Sequence, residues 1–116
     1  MEEVVKLAVI GSRNFPTIRL ADYIPSHVTE IVSGGARGID RQARKFAEEN
    51  RIPLTEFLPD YRRYGRGAPL RRNREIAAYA DECLAFWDGT SRGTAHTIEQ
   101  FRLIGKKITV ITPEHL

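Results

Sequence analysis

The chain contains very little cysteine: Cys83 is the only one among 116 residues. A single cysteine cannot form an internal disulfide or a thiolate-rich metal site, and it fits a reducing compartment. The sequence also lacks any apolar stretch close to the length of a membrane span. Its first residues, Met1-Glu2-Glu3, lead straight into a strand-like segment, which argues against a signal peptide. We therefore expect a cytoplasmic protein that has no membrane partner.

The standard phosphate-binding signatures are missing as well. There is no GxxxxGK[ST] segment, and residues 34–38 read GGARG, which is not GxGxxG. The sequence therefore supports neither a P-loop ATPase nor an ordinary NAD-dependent dehydrogenase. We expect no bound metal, and no cofactor other than a nucleotide-like ligand.

The remaining composition is ordinary, with 41% hydrophobic and 28% charged residues, and it predicts one globular domain over residues 1–116. Charge is distributed unevenly. Residues 60–74, DYRRYGRGAPLRRNR, hold six arginines and one aspartate, a net charge of +5. Because the whole chain carries +3, the rest of the chain sums to −2. One basic segment could therefore meet a phosphate or a polyanion.

Apolar, β-branched runs alternate with segments of helical periodicity along the whole chain. The predicted strands are 4–10, 29–33, 53–58, 82–87 and 107–112, and the predicted helices are 17–23, 39–50, 70–80 and 94–104. This alternation predicts an α/β fold, a Rossmann-like domain in which helices cover both faces of a five-stranded parallel sheet. We expect the strand order 3-2-1-4-5, so that ligands bind at the switch point between strands 1 and 4.

Glycine-rich loops follow the first, second and fourth predicted strands, which are neighbours in that order. Their carboxyl ends should meet at one edge of the sheet, where each loop is predicted to open onto a helix that favours an anion. Glycine would leave main-chain amides uncovered, and an arginine in each loop would supply a forked donor. The predicted phosphate-binding residues in these loops are Gly11, Ser12, Arg13, Gly34, Gly35, Arg37, Gly38, Gly89, Ser91, Arg92, Gly93 and Thr94.

Two aspartates fall at the same predicted edge. Asp40 could bind a ribose hydroxyl or serve as a helix-entry residue, and Asp88 could contact a ligand hydroxyl or bond its own loop. No catalytic residue can be assigned. The arginine-rich loop is interpreted as a mobile, solvated basic flap over the ligand, carrying Arg62, Arg63, Arg66, Arg71, Arg72 and Asn73.

Four segments in order, AVIGSRNF, IVSGGARGID, PLRRNREI and DGTSRGTAHTI, resemble the SLOG superfamily and most closely its YspA-type branch, related to YpsA. The resemblance runs essentially from end to end. It implies a domain that binds a nucleotide or a nucleotide-derived signal. It places ligand contacts at Gly11, Ser12, Arg13, Gly34, Gly35, Arg37, Gly38, Asp40, Asp88, Gly89, Ser91, Gly93 and Thr94.

Two related groups supply alternatives to a nucleotide-binding sensor or effector. DprA has a similar GSR and SG-A-GID pattern and binds single-stranded DNA. The LOG phosphoribohydrolases cleave nucleoside monophosphates at the base–ribose bond and carry a catalytic glutamate in PGGxGTxxE. Alignment on Gly93-Thr94 puts Thr97 at that glutamate position, and Glu99 would face about 200° away on a helix. This departure weakens the N-glycosidase hypothesis.

A nucleotide-binding sensor or effector is thus the leading expectation. A LOG-type nucleotide hydrolase and a single-stranded nucleic-acid binder that uses Tyr61 and Tyr64 among the arginines are the alternatives. Association into a homodimer is left open.

Overall fold

The structure, a computed structural model, describes residues 4–116. The first residues, on which the argument about a signal peptide depends, lie outside this range. The strands are β1 (Lys6–Gly11), β2 (Glu30–Ser33), β3 (Leu54–Glu56), β4 (Glu82–Phe86) and β5 (Lys107–Ile111). The helices are α1 (Ile39–Glu49), α2 (Tyr61–Tyr64), α3 (Ala68–Tyr79) and α4 (Arg92–Leu103).

The five strands form one parallel sheet in the order β3-β2-β1-β4-β5, as predicted. Central β1 pairs with β2 through Leu7 and Ile31, and with β4 through Val9 and Leu84. Because β1 has neighbours on both sides and helices on both faces, it has the continuous apolar run typical of a fully covered strand.

Two apolar cores lie on opposite faces of the sheet. On one face α1 packs through Ile39, Ala43 and Ala47. On the other face α3 and α4 pack together, with Ile76 and Phe101 fully covered. This arrangement confirms the predicted fold class, an α/β domain with helices on both faces of the sheet.

The helix predicted at 17–23 is wrong. Only one turn of 3-10 helix, Leu20–Asp22, forms after β1. The amide of Ile18 donates to Gln42 Oε1 of α1 at 3.2 Å, which ties this segment to α1. Burial of Leu20 then fixes the segment to the sheet in an irregular form, since so short a helix has little stability of its own.

The mobile loop predicted ahead of the helix at 70–80 is also wrong, because most of residues 60–69 are helical as well. Asp60 caps α2 by accepting a hydrogen bond from the Arg63 amide at 3.1 Å. A 3-10 turn, Gly65–Gly67, then leads directly into α3, whose first turn contains Pro69. The Asp60 cap and Pro69 are ordinary helix-start signals. The sequence-based interpretation gave more weight to the positive charge of the segment than to these two residues.

Within residues 4–116, the helices are all too short or too polar to cross a membrane.

Candidate functional site

A cavity of about 470 Å³ opens at the carboxyl edge of the sheet, at the junction between β1 and β4. The loops after β1, β2 and β4 form part of its wall, α3 contributes the largest helical part, and further residues come from β1, α1, α2 and the start of α4. Sequence-predicted residues that line it are Gly11, Arg13, Gly34, Asp40, Arg72, Asn73, Asp88, Ser91, Gly93 and Thr94. The cavity therefore lies at the edge of the sheet where the site is predicted.

Other predicted residues lie outside the lining. From the loops these are Ser12, Gly35, Arg37, Gly38, Gly89 and Arg92, and from the arginine-rich segment Arg62, Arg63, Arg66 and Arg71. The structure adds residues to the lining that the sequence did not indicate as site residues. Among them are Asn14 and Ala36. The lining also contains Tyr61, which the sequence indicated only for the nucleic-acid alternative, and Thr97, which aligns with the LOG glutamate.

The glycines of the first two loops are explained mainly by close packing of the protein itself. A Cβ on Gly11 would lie 2.7 Å from Ile39 Cβ and 2.9 Å from Phe86 O. Gly38 has a φ of 71°, and a Cβ there would lie 2.9 Å from Arg13 O. A Cβ on Gly34 would meet the Arg72 guanidinium at 2.6 Å. These contacts give Gly11 and Gly38 a packing reason to be glycine that the sequence-based explanation did not include.

Gly93 is different, because a Cβ there would meet nothing within 4 Å. It lies in the first turn of α4, and its main chain is open to the cavity. Among the cavity glycines it offers a ligand the freest approach to the backbone.

The start of α4 leaves amide donors unused. The Ser91 hydroxyl does not cap the helix and instead donates to Thr94 Oγ1 at 3.2 Å. The first intrahelical bond comes from the Ala95 amide to Ser91 O. Among residues 4–116, the amides of Arg92, Gly93 and Thr94 therefore have no hydrogen-bond partner, and the first turn contains no acidic side chain. Such a helix start attracts anions.

No α-helix begins after β1, so the Gly11–Arg13 loop lacks the helix start that we predicted there. The Ser12 side chain is instead buried and links the loop after β1 to the loop after β4 through hydrogen bonds. Its Oγ accepts a hydrogen bond from the Asp88 amide at 3.1 Å and lies 3.5 Å from Thr94 Oγ1. The Ser12 hydroxyl thus holds the β1 and β4 loops against each other beneath the cavity.

The Asp88 carboxylate is occupied by its own loop. Its Oδ1 accepts hydrogen bonds from the amides of Ser91 at 2.7 Å and Thr90 at 2.9 Å. These two bonds lower the pKa of Asp88. The structure therefore favours the loop-bonding role for Asp88, although the residue still lines the cavity.

Asp40 is a buried carboxyl group in the cavity wall, with 7% of the residue exposed. Its Oδ2 accepts a hydrogen bond from the Ala36 amide at 3.0 Å. Burial raises the pKa of Asp40 to about 6, an increase that the Ala36 amide and the Arg72 charge oppose and the Glu56 charge reinforces. Asp40 can therefore gain or lose a proton close to neutral pH.

Arg72 connects α3 to the loops of the β2–β3 side. Its Nη1 donates to Gly34 O at 2.8 Å and to Phe57 O at 3.3 Å, and its Nε donates to Asn73 Oδ1 at 2.9 Å. These bonds hold the guanidinium in the cavity wall as part of a helix. Arg72 and Asn73 are thus fixed wall residues, which corrects the flap interpretation for both.

Asn73 continues this polar wall toward α4. Its Nδ2 lies 3.2 Å from His96 Nδ1, and burial, followed by the nearby Arg74 charge, lowers the pKa of His96. Thr97 Oγ1 donates to Gly93 O at 3.1 Å, so this hydroxyl is bound to the helix backbone. Among residues 4–116, no three His, Cys, Asp or Glu side chains are grouped so that they could hold a metal.

The model of one protein family, described as the YspA, cpYpsA-related SLOG family, matches residues 5–64, which extend from β1 through α2. The chain is also 37% identical over 81 residues to the Gene 61 protein of Mycobacterium phage D29. That alignment covers 65% of this chain and 65% of the phage protein, just under two thirds of its length. No solved structure gives a significant match. A match over half the chain, with the order of elements described above, shows that this protein belongs to the YspA, cpYpsA-related SLOG family.

Proposed function

We propose that this domain binds a nucleotide or a nucleotide derivative in the cavity and acts as a ligand sensor or effector. The phosphate would lie at the start of α4. The observation that carries the proposal is the position of the three unpartnered amides of Arg92–Thr94, beside a cavity that also contains Arg13 and Arg72. Amides and guanidinium groups are both strong donors to phosphate oxygens.

The size and lining of the cavity support the same assignment. A volume of about 470 Å³ falls within the range of small-molecule sites, about 300–1,000 Å³. Ile10, Ile76 and Leu70 supply apolar wall for a base, while Asn73 and Asp40 supply polar groups for hydroxyls and ring nitrogens. Membership of the SLOG family is consistent with a nucleotide-related domain.

Calorimetric titration with AMP, ADP-ribose and cyclic nucleotides tests this proposal. The informative variant is Gly93→Leu, because a side chain at this open position would occupy the proposed phosphate site without straining the backbone. We expect it to weaken binding at least about tenfold, a loss of about 1.4 kcal/mol.

Gly67→Leu is the matched control. Gly67 lies at the start of α3, where a Cβ also meets nothing within 4 Å, but it does not line the cavity. Equal affinity in wild type and both variants, or no binding of any nucleotide by the wild type, would contradict the proposal.

Hydrolysis of a nucleoside monophosphate at its base–ribose bond is a second candidate, and Asp40 is the observation that favours it. Thr97 at the LOG glutamate position offers no carboxylate, but Asp40 places one in the same cavity from α1, with a pKa of about 6. Incubation with AMP and chromatography for free adenine provides the test, with Asp40→Asn as the inactive reference. Binding of AMP without release of adenine would leave only the sensor proposal.

A further inference from the structure

We infer that the ligand of this cavity is part of a single-stranded nucleic acid, with one nucleotide in the cavity and the neighbouring phosphates on exposed arginines of α2, of the 3-10 turn that follows it and of α3. This inference rests on the function proposed for the cavity. We call Arg62, Arg63, Arg66 and Arg71 the arginine surface. All four are exposed.

The arginine surface carries more positive charge than a mononucleotide would use. Arg13 and Arg72 already line the cavity and can balance one phosphate. Among the described residues, Arg62, Arg63 and Arg66 have no carboxylate within 4.0 Å, and Arg71 has a long, exposed contact with Glu75 at 3.6 Å. Residues 60–74 have a net charge of +5 in a chain of +3, so exposed positive charge is concentrated in this one stretch of the chain. Such concentration is typical of a polyanion-binding surface.

The arginine surface is continuous with the cavity. Tyr61 of α2 and Leu70 of α3 line the cavity, and the four arginines are close to them along the chain, on these two helices and on the 3-10 turn between them. A chain that leaves the cavity over Tyr61 or Leu70 would therefore meet these guanidinium groups directly. A single bound nucleotide would not extend that far.

The two tyrosines indicate that the polyanion has bases. Tyr61 is 60% exposed at the cavity wall, where its ring is free to stack on an unpaired base. The ring of Tyr64 is flanked by guanidinium groups, with Arg71 Cζ at 4.2 Å and Arg63 Cζ at 5.3 Å from its centroid. These contacts arrange part of the arginine surface before any ligand binds, which reduces the entropy lost on binding.

A single strand fits these features better than a duplex or inorganic polyphosphate. A base held in a duplex is stacked and paired, so it could enter neither the cavity nor the space over Tyr61. Polyphosphate would use the arginines but would gain nothing from an exposed aromatic ring.

Fluorescence anisotropy with a labelled oligonucleotide of about 12 nucleotides, measured at several salt concentrations, tests the inference. The first variant is the triple substitution Arg62→Gln, Arg63→Gln and Arg66→Gln. We expect it to weaken binding at least tenfold and to reduce the slope of log K against log[salt] by about 2, since each phosphate contact on a single strand contributes about 0.7. Affinity for AMP should stay unchanged in this variant.

Tyr61→Ala separates stacking from charge. It should weaken oligonucleotide binding about tenfold and leave the salt slope as it is. The matched control is Arg19→Gln, Lys45→Gln and Arg102→Gln, which removes three exposed charges outside the cavity lining and should have no effect.

Four outcomes are informative. An oligonucleotide that binds more tightly than AMP and responds to both variants supports the inference. An oligonucleotide that binds no more tightly than AMP overturns it and leaves the proposed function intact. If a duplex or polyphosphate binds as tightly as the oligonucleotide, and Tyr61→Ala does not weaken oligonucleotide binding, the inference is overturned in favour of general polyanion binding. If neither AMP nor the oligonucleotide binds, both proposals fail.

Discussion

Gly11 ends β1 directly beneath α1, in contact with Ile39 and beside the carbonyl of Phe86. Gly11→Ala would force these groups apart in a close-packed region. We expect the variant to lose about 1–3 kcal/mol in free energy of unfolding, as overpacked cores usually do. Urea denaturation followed by circular dichroism measures this loss.

Gly67→Ala is the control for Gly11→Ala. Gly67 has a φ of −79°, and a Cβ there meets nothing within 4 Å, so alanine should be neutral or slightly stabilising. If Gly11→Ala is as stable as wild type, the packing role that we assign to Gly11 is incorrect.

Asp40 should make stability depend on pH. Its pKa is about 6 in the folded protein against an ordinary value of 3.8, so the folded state holds the proton more tightly. The unfolding free energy should therefore fall as pH rises from about 4 to above 6. Between about pH 4.5 and 7.5 this loss amounts to about 2 kcal/mol.

Urea titrations of wild type and Asp40→Asn at these two pH values measure the effect of Asp40. Other titrating groups contribute the same pH dependence of stability to both proteins, so their contribution cancels in the comparison. These groups include Arg72 and Glu56, which face Asp40 and are present in both proteins. We expect wild type to lose about 2 kcal/mol relative to the variant at the higher pH. A difference that does not change with pH would show that Asp40 titrates near its ordinary pKa.

The roles of single residues were the hardest feature to predict from the sequence. Glycine-rich loops indicated a ligand, yet Gly11 and Gly38 are explained by contacts with Ile39 and with the main chain of Arg13. A sequence gives no sign of which neighbour approaches a glycine, because that neighbour is distant along the chain. The occupation of Asp88 by local amides was predictable as an alternative, since those amides are within three residues.

Among the elements, the end of α3 depends on Lys106. The Lys106 ammonium donates to the carbonyls of Ala77, Ala78 and Ala80 at 2.7–3.0 Å, which ties the turn before β5 to this helix end. A cation bonded to terminal carbonyls stabilises a helix. Lys106→Met should therefore lower the unfolding free energy by about 1–2 kcal/mol.

Lys107→Met is the control, because Lys107 is exposed and its contact with Glu82 is 3.8 Å long. It should change the melting temperature very little. Equal melting temperatures for the two variants would indicate that the three carbonyl contacts contribute nothing to stability.

Element prediction succeeded where burial alone decides the pattern and failed where distant contacts do. Strands β1 and β4 have continuous apolar runs, helices α1 and α4 have helical periodicity, and all four were located to within about two residues. The segment of the failed helix at 17–23 is held by Gln42 of α1 and by the burial of Leu20, contacts that no local pattern reveals. The helical start of the 60–74 segment was missed although Asp60 and Pro69 were visible signals.

For the whole molecule, the alternation of strands and helices along the chain was enough to predict the sheet order and the edge where the cavity lies. That success follows from the handedness and short connections of parallel α/β units, which leave few topologies open. The contribution of α3 to the wall was not predictable in the same way. It depends on the bonds of Arg72 to Gly34 O and Phe57 O, which join elements far apart in sequence.

Chemical-shift mapping of an isotopically labelled protein during titration with AMP tests the central claim, that an anionic nucleotide binds at the start of α4. We expect the largest amide shifts at Gly93 and Thr94, smaller shifts at Gly34 and Ala36 across the cavity, and none along β5. Absence of shifts at any AMP concentration, or shifts confined to residues away from the carboxyl edge of the sheet, would contradict the claim.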